Sequence, residues 1–319
     1  MDKISKKIKM NSKIILKLKR LFKNYNIDGY IIPKNDAYFS EFSSPDRLKI
    51  ISNFSGSAGY AIILKKKNFL FVDGRYTIQA KIESGKQFKI VEVPVYSPKD
   101  FLNRVGQKLN LGFDPHLFTN FSIKKNFGKN CNLIPIKDNL IDIISKKINK
   151  KSITAFYNLD KSIVGESIDN KINKVIKSIK AKNIDNIFIS APENVAWLLN
   201  LRGKDHPNSP IPNCKLILTK DKKIYFFSCP KKIFKIKKIK DYKKLQFVKY
   251  ENFEKVIEVL KGKNFSIDKL SCSIFNENTI KSFFKIKSNI DPCYSMKPIK
   301  NKLEINNMIN AHIEDGVAL

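Results

Sequence analysis

The feature that most constrains the fold of this chain is an internal repeat. Residues 26–28 and residues 183–185 both read NID and lie 157 positions apart, and each copy enters a short apolar stretch that ends in a polar turn. An apolar stretch of this length, bounded by turn residues, predicts a buried β-strand. A repeat with so long a period indicates that one structural unit occurs twice along the chain.

The segments around the two copies also correspond. An amphipathic helix is predicted before each copy, because apolar residues at three- and four-residue steps share one helix face. These faces consist of Ile15, Leu18 and Phe22 in the first copy and Ile168, Ile172, Val175 and Ile179 in the second. Further along, residues 60–73 and 216–228 each hold two apolar segments around a lysine-rich turn, which predicts a β-hairpin.

The repeat predicts an α/β protein with two related domains, each a mixed β-sheet flanked by helices. We predict the first domain over residues 1–150 and the second over 151–297, with the lysine-rich residues 143–152 as the linker. Residues 298–319 belong to neither copy. Their apolar positions recur at helical spacing, so we expect an amphipathic helix there that begins a third unit.

The charge of the chain raises the question of a nucleic-acid partner. The 61 lysines and arginines against 29 acidic residues give a formal net charge of +32, a field that attracts phosphate backbones. Only five of the cations are arginine, however, whereas proteins that read phosphates or bases favour the bidentate arginine fork. Lysine is spread throughout, and its densest run, residues 230–244, is predicted to be a solvated loop or edge. We expect no nucleic-acid partner.

Other aspects of composition predict a cytoplasmic protein without a membrane partner. The five cysteines are widely spaced and include no C-x-x-C pair, which is typical of free thiols in a reducing compartment. The N-terminal segment has lysines among its apolar positions and lacks the apolar core of a secretion signal. Apolar runs such as residues 60–64 and 195–199 are far shorter than the roughly 20 residues that cross a bilayer.

The glycine-bearing turn at residues 56–59 (GSAG) is the first motif with a possible binding role. It matches neither of the phosphate-binding glycine patterns, and Ser57 is not centred in G-x-S-x-G. We interpret it as a tight turn that packs the end of a helix against the start of a strand.

Arg75 is the first candidate binding residue. It lies in the segment DGRY (residues 73–76), between a predicted strand and a helix that Asp73 is placed to cap. In a chain that uses lysine for nearly every cation, the few arginines are the ones expected to need guanidinium geometry. An ordinary surface or salt-bridged arginine is the alternative.

Arg202 and His206 are two further candidates. They lie after a predicted helix, at the start of a polar loop with several prolines (residues 203–213), and such loops often carry binding groups. His206 stands between Asp205 and Pro207, and a solvated loop histidine is the alternative.

No local group of residues predicts a metal or catalytic centre. His312 and Asp315 are three positions apart on the last predicted helix, but two ligands do not complete a metal site. Neither a Cys/His pair nor a Ser/His/Asp set is identifiable. We therefore expect no catalytic and no metal-binding residue in this chain.

Four stretches together resemble the Xaa-Pro aminopeptidase (aminopeptidase P) family, in its large three-domain cytosolic form within the creatinase and methionine-aminopeptidase superfamily. They are residues 28–64, 71–80, 193–213 and 296–319, in the order and spacing of that family. The resemblance implies two creatinase-type N-terminal domains followed by a pita-bread catalytic domain. It also implies a cytosolic homodimer that hydrolyses the bond before proline in peptides with proline at the second position.

The same resemblance implies two divalent metal ions, usually manganese, held in the catalytic domain by aspartate, histidine and glutamate. It implies that Arg75 contacts the bound peptide and that Arg202 and His206 line the entrance. Residues 311–319 resemble the first helix of the catalytic domain, so every metal ligand is expected beyond Leu319. We expect a non-catalytic N-terminal part of the enzyme that is inactive alone. The alternative is a non-enzymatic binding or dimerisation module that has lost its catalytic domain.

Overall fold

A computed structural model describes residues 3–40, 42, 44–104, 108–128, 131–145 and 153–319, with side chains from Asn11 onwards. The chain divides into two compact units, each treated by itself below. One contains the described residues up to Ser145 together with Ser273–Phe275, and the other contains the rest. Residues 146–152 of the predicted linker lie outside the described residues. The predicted domain boundaries remain a prediction.

The first unit is a six-stranded mixed sheet with helices on it. Its helices are α1 (Lys3–Leu21), α2 (Arg47–Ser52), α3 (Thr77–Ser84), α4 (Pro98–Arg104), α5 (Asn120–Phe127) and α6 (Leu140–Ile144). Its strands are β1 (Gly29–Pro33), β2 (Tyr60–Leu64), β3 (Asn68–Asp73), β4 (Lys89–Val93), β5 (Leu109–Phe113) and β6 (Cys131–Pro135). The strand order is β4-β3-β2-β1-β5-β6. β2 pairs antiparallel with both β1 and β3, and the remaining pairs are parallel.

Side-chain alternation along β1 explains the two cores of this unit. Tyr30 and Ile32 point to one face and pack with the apolar face predicted for α1, whereas Ile31 points to the other face. All five residues of β1 are buried, as expected for a central strand that is covered on both faces. The predicted helix and the predicted hairpin β2–β3 are both confirmed.

The second unit has a corresponding build. Its helices are α7 (Lys161–Val164), α8 (Ile168–Ala181), α9 (Pro192–Leu198), α10 (Phe253–Val259), α11 (Ile274–Lys281, which belongs to this unit from Asn276 onwards), α12 (Pro292–Met296) and α13 (Lys302–Ala318). Its strands are β7 (Tyr157–Asn158), β8 (Asn186–Ile189), β9 (Leu201–Arg202), β10 (Lys215–Thr219), β11 (Ile224–Phe227), β12 (Leu245–Val248), β13 (Asn264–Ile267) and β14 (Lys285–Ser288).

Its main sheet has the order β12-β11-β10-β8-β13-β14, which repeats the first sheet strand for strand. β10 pairs antiparallel with both β8 and β11, and the outer pairs are again parallel. The short strands β7 and β9 form a separate antiparallel pair. The apolar face predicted for α8 is buried, so the fold class and its duplication are as the sequence predicts.

The lysine-rich residues 230–244 are only partly the solvated loop that the sequence predicts. They form three 3₁₀ turns whose lysines are mostly exposed, but Ile236 and Tyr242 are fully buried. The Tyr242 hydroxyl donates to the Leu199 carbonyl over 2.8 Å. The buried side chains Ile233, Ile236 and Tyr242 therefore fix this loop to the core.

The final predicted helix is confirmed as α13. Asn301 caps its first turn in a reciprocal capping box with Glu304, and the Asn301 amide also donates to the Val164 carbonyl over 2.8 Å. Apolar side chains further along the helix, among them Ile309 and Ile313, are exposed. That α13 begins a third unit remains a prediction.

Candidate functional site

Arg75 lies at the corner between β3 and α3, as its sequence position predicts. The Asp73 side chain accepts the Arg75 backbone N–H over 3.0 Å and caps this corner. The same carboxylate binds the guanidinium through Nε at 3.1 Å and Nη2 at 2.8 Å, and these bonds lower the pKa of Asp73. The Arg75 side chain is 76% exposed. Its guanidinium is therefore oriented by Asp73, charge-balanced and accessible to a ligand.

Tyr76 connects this corner to the glycine-bearing turn at residues 56–59. The Arg75 guanidinium carbon lies 5.3 Å from the centre of the Tyr76 ring, and the Tyr76 hydroxyl lies 2.9 Å from Ser57 Oγ. Phe54 packs edge-on against the Tyr76 ring at 5.7 Å. We call Asp73, Gly74, Arg75, Tyr76 and Ser57 the Arg75 corner.

The interpretation of residues 56–59 as a tight packing turn is confirmed. Gly59 has a φ of 155°, and a Cβ atom there would lie 2.8 Å from the Phe71 carbonyl oxygen. At Gly56 a Cβ atom would lie 2.2 Å from the Phe54 ring. The sequence did not reveal that this turn contacts the DGRY segment, because the contact joins residues far apart along the chain.

A polar cluster beside the turn attaches it to α3. Glu83 accepts the Ser55 backbone N–H over 2.7 Å and the Ser55 hydroxyl over 2.6 Å. Gln79 donates to Ser55 Oγ over 3.0 Å. Burial acts to raise the pKa of Glu83, but the bonds from Ser55 outweigh it and the pKa is lowered. The charged carboxylate therefore holds the turn in place.

Arg202 lies on β9 in the second unit, and backbone carbonyls occupy part of its guanidinium. Its Nη1 donates to the Leu201 oxygen over 2.8 Å and to the Ala196 oxygen over 3.2 Å. The side chain is partly buried, and this burial lowers its pKa. Arg202 therefore stabilises the end of α9, and a role in ligand binding remains a prediction.

His206 is buried at 7% exposure, so the solvated loop histidine considered from the sequence is not what the structure shows. Its Nε2 lies 3.1 Å from the Asn213 side-chain oxygen. The neighbouring Asp205 accepts the Asn213 backbone N–H over 2.6 Å and forms an ion pair with Lys232. The proline-rich loop is thus closed on itself, and contact of His206 with a peptide remains a prediction.

Lys171 is a buried polar residue that the sequence analysis missed. It is 2% exposed, and its ammonium donates to Asn200 Oδ1 over 2.7 Å and to the Trp197 carbonyl over 3.0 Å. The same nitrogen lies 4.5 Å from the centre of the Trp197 ring, and burial lowers the pKa of Lys171 to about 8. Lys171 lies three residues after Ile168 and four before Val175, which places it on the apolar face of α8. This spacing is the sequence pattern from which its burial could have been predicted.

The described residues do not fit a site for two divalent metal ions. Among residues 3–40, 42, 44–104, 108–128, 131–145 and 153–319, no group of three or more histidine, cysteine, aspartate or glutamate side chains could hold a metal ion. The five cysteines are free, and four of them are buried. Within the same residues, no helix is long and apolar enough to span a bilayer.

Two family models match this chain, and both describe a Creatinase/Prolidase N-terminal domain. One matches residues 15–154 and the other residues 148–304. The two matches together include the Arg75 corner, Arg202 and His206.

Curated relatives match almost the whole chain. A protein from Coprinopsis cinerea named probable Xaa-Pro aminopeptidase P is 28% identical over 340 residues, covering 97% of this chain and 54% of the relative. A Xaa-Pro aminopeptidase from Drosophila melanogaster is 30% identical over 313 residues, covering 92% of this chain and 50% of the relative. The chain spans about half the length of the curated relatives that it matches.

A solved structure supports the fold. It is an X-prolyl aminopeptidase from Caenorhabditis elegans, described as a cytosolic enzyme with a di-nuclear active site. The superposition has a TM-score of 0.85 at 21% identity and covers 96% of this chain and 54% of that one. The duplicated sheet, the two family matches and this superposition agree: the chain carries two Creatinase/Prolidase N-terminal domains and belongs to the family that these domains define.

Proposed function

We propose that this chain is the non-catalytic N-terminal part of a metal-dependent Xaa-Pro aminopeptidase, which removes the residue that precedes proline at the N-terminus of a peptide. One observation carries the proposal: 92–97% of the chain matches proteins named Xaa-Pro aminopeptidases, over about half the length of each of those proteins. Cleavage of the bond before proline needs a dedicated enzyme, because the proline nitrogen has no hydrogen that a general peptidase could bind.

The chemistry of the described residues supports a scaffold role. Hydrolysis of a peptide bond needs an activated nucleophile, and two bound metal ions can supply it by lowering the pKa of water. The Caenorhabditis elegans enzyme is described as di-nuclear, whereas the described residues of this chain do not fit a metal pair. We therefore assign the two ions, with manganese as the expected metal, to a catalytic domain that follows these two domains in the complete enzyme.

The Arg75 corner is the proposed contribution of this chain to peptide binding. A guanidinium can donate to a peptide carbonyl with fixed geometry, and Asp73 orients that of Arg75 while 76% of the side chain stays exposed. Arg202 and His206 are proposed as residues that shape the entrance rather than bind directly, because both are held by neighbouring groups. We further propose a cytosolic homodimer as the working form.

The test is to join this chain to the C-terminal half of the Drosophila melanogaster relative, which we call the joined enzyme. We expect the joined enzyme with manganese to release the first residue of a peptide with proline second, and to leave a matched peptide with alanine second uncut. The chain alone is expected to cut neither peptide. A cooperative unfolding transition and a bound-metal measurement show whether the joined enzyme is folded and loaded.

A folded, metal-loaded joined enzyme that cannot distinguish proline from alanine would refute the proposed specificity. Cleavage by the chain alone would refute its non-catalytic role. If the joined enzyme does not fold, the coding DNA provides a second test. We expect a metal-binding domain to be encoded after the Leu319 codon, and a stop codon there would favour a binding or dimerisation module instead.

A further inference from the structure

β4 is an edge strand with an open groove beside it. Among the strands of the described residues, only β3 pairs with β4. The groove, which we call the β4–α4 groove, has a volume of about 590 Å³ and lies between β4 and α4. Ile90, Val91, Val95, Tyr96 and Phe101 provide its apolar and aromatic lining, and the charged residues Lys89, Glu92 and Arg104 complete it. An edge strand presents backbone N–H and C=O groups that can pair with another extended chain.

The lining of the groove combines apolar side chains with charged ones, two of them cationic and one acidic. The Phe101 ring packs against the Phe69 ring at 4.2 Å, so α4 is fixed to the sheet. Val95 is 63% exposed and Tyr96 is 42% exposed. The guanidinium carbon of Arg104 lies 4.6 Å from the centre of the Tyr96 ring, which holds a cation at the rim. An extended peptide fits this arrangement, since its backbone pairs with the edge while alternate side chains enter the groove.

The groove is continuous with the Arg75 corner. Val93, at the end of β4, is the register partner of Asp73 at the end of β3. Glu92, which lines the groove, lies against the corner, because a Cβ atom on Gly74 would sit 3.0 Å from Glu92 Oε1. A peptide that reaches Arg75 can therefore continue along β4 without leaving the surface of the first unit.

We propose that the β4–α4 groove binds the distal part of long peptide substrates as an added β-strand, with an apolar side chain in the groove and an acidic residue at Arg104. The identity of the occupant rests on the proposed function. β4 has five residues, which correspond to about 17 Å of extended chain, so a tripeptide at the Arg75 corner cannot cover it. The groove thus selects peptides with several residues beyond the proline.

The direct test uses the chain as it stands and a fluorescein-labelled ten-residue peptide with proline second, alternating valine and threonine, and one distal glutamate. We expect saturable binding by fluorescence anisotropy in 150 mM NaCl, together with protection of the β4 amides from hydrogen exchange. The matched ligand has the same length and charge but prolines at alternate distal positions, which remove the N–H donors that strand addition needs. We expect it to bind at least fivefold more weakly.

Tyr96→Ala and Val95→Asp are the test variants, and both sites are exposed enough for the core to remain intact. We expect each to weaken binding of the ten-residue peptide about fivefold or more. Ile143→Asp, an exposed residue of α6 at 52%, is the matched control and should bind like the parent chain. The proposal is overturned by an absence of binding, by equal binding of the proline-rich ligand, or by parent-like binding of both variants.

The joined enzyme separates this proposal from the proposed function. Cleavage that prefers proline, with the same KM for a tripeptide and the ten-residue peptide, supports the proposed function and overturns the groove. A lower KM for the ten-residue peptide that Tyr96→Ala abolishes, with the tripeptide unaffected, supports both. Groove binding without any cleavage of Xaa-Pro peptides supports a strand-binding groove and contradicts the proposed enzyme.

Discussion

Lys220 Nζ lies 2.7 Å from Asp185 Oδ1, and this pair ties the hairpin turn of the second unit to the residue before β8. The other carboxylate oxygen of Asp185 accepts the backbone N–H groups of Lys263 and Asn264 over 2.8 and 2.9 Å. One side chain therefore links three segments at the same end of the sheet.

Asp28 occupies the corresponding place in the first unit. Its Oδ1 lies 2.7 Å from Lys65 Nζ, and its Oδ2 accepts the Asn110 backbone N–H over 2.9 Å. The residues two positions earlier, Asn26 and Asn183, have φ values of 50° and 52°, so the entry into the strand is the same in both units. The repeated letters NID thus correspond to a repeated carboxylate clamp.

We predict that Asp185→Asn lowers the free energy of unfolding by about 1–2 kcal/mol at pH 7, because the amide makes weaker bonds to these donors. The backbone N–H of Asn264, the Lys220 ammonium and the backbone N–H of Lys263 lower the pKa of Asp185 to about 2. This is below its value in the unfolded chain, so the contribution is present above about pH 4 and is lost as the pH falls towards 2. Urea unfolding at pH 7 and pH 3 measures it.

Asp169→Asn is the control for that measurement. Asp169 pairs with Lys244 over 3.1 Å, and both side chains are more than two-thirds exposed. Such surface pairs contribute little to stability. The prediction would be contradicted if both variants lost the same free energy of unfolding. It would also be contradicted if Asp185→Asn lost more free energy of unfolding at pH 3 than at pH 7.

We predict that stability rises with pH because of Lys171. Burial lowers the pKa of Lys171 to about 8 in the folded protein from 10.5, so the unfolded chain binds more protons between these values. The unfolding free energy of the parent chain should therefore increase relative to Lys171→Met by about 2–3 kcal/mol between pH 7 and pH 10. Denaturant unfolding of both chains across this pH range gives the difference in unfolding free energy. The contributions of the other titrating groups cancel in this difference.

Lys174→Met on the same helix serves as the comparison for Lys171. Lys174 is 57% exposed and pairs with Glu166 at the surface. Because this surface pair contributes little to stability, we expect Lys174→Met to change the unfolding free energy little at pH 7. A flat difference between the parent chain and Lys171→Met would show that the Lys171 ammonium is not desolvated in solution.

We predict that Arg75→Ala reduces kcat/KM of the joined enzyme by about tenfold to a hundredfold, as expected when a group that positions the peptide is removed. Arg75→Lys should recover only part of this loss, because an ammonium lacks the planar fork that Asp73 orients. Arg20→Ala, an exposed arginine of α1, controls for loss of charge alone. Parent-like kinetics of Arg75→Ala would remove Arg75 from the peptide site.

We predict a direct coupling between Ser57 and Tyr76, whose oxygen atoms lie 2.9 Å apart. Ser57→Ala and Tyr76→Phe should each lower the unfolding free energy by about 0.5–1.5 kcal/mol, and the double variant should lose less than the sum of the two. A double-mutant cycle from urea unfolding gives the coupling energy. Strictly additive losses would mean that this hydrogen bond is not formed in solution.

Much of the fold follows from local sequence patterns. The helical spacing of apolar residues predicts α1, α8 and α13, and the paired apolar segments around lysine-rich turns predict both hairpins. These predictions succeed because a helix or strand that buries one face must place apolar residues at the spacing of that element, and this spacing can be read from neighbouring positions. The capping role of Asp73 is also predicted, since a cap is read from adjacent positions.

The candidate site is less accessible to sequence reasoning. Scarcity of arginine indicates residues that need guanidinium geometry, and three of the five use it, whereas Arg202 bonds through a single nitrogen atom. Arg47 binds Asp142 through two bonds, Arg75 binds Asp73, Arg104 stacks on Tyr96 and Arg202 bonds two carbonyls. The contact of Ser57 with Tyr76 and the burial of Lys171 depend instead on distant segments meeting in the fold, which local patterns do not encode.

The two carboxylate clamps have a practical consequence. Asp28 and Asp185 perform one task in two copies of one architecture, yet Asp28 is 32% exposed and Asp185 is 13% exposed. The same ionic interaction therefore occurs twice in one molecule at two degrees of burial. Substituting each aspartate in turn compares the contribution of this interaction to the free energy of unfolding at both degrees of burial within the same protein.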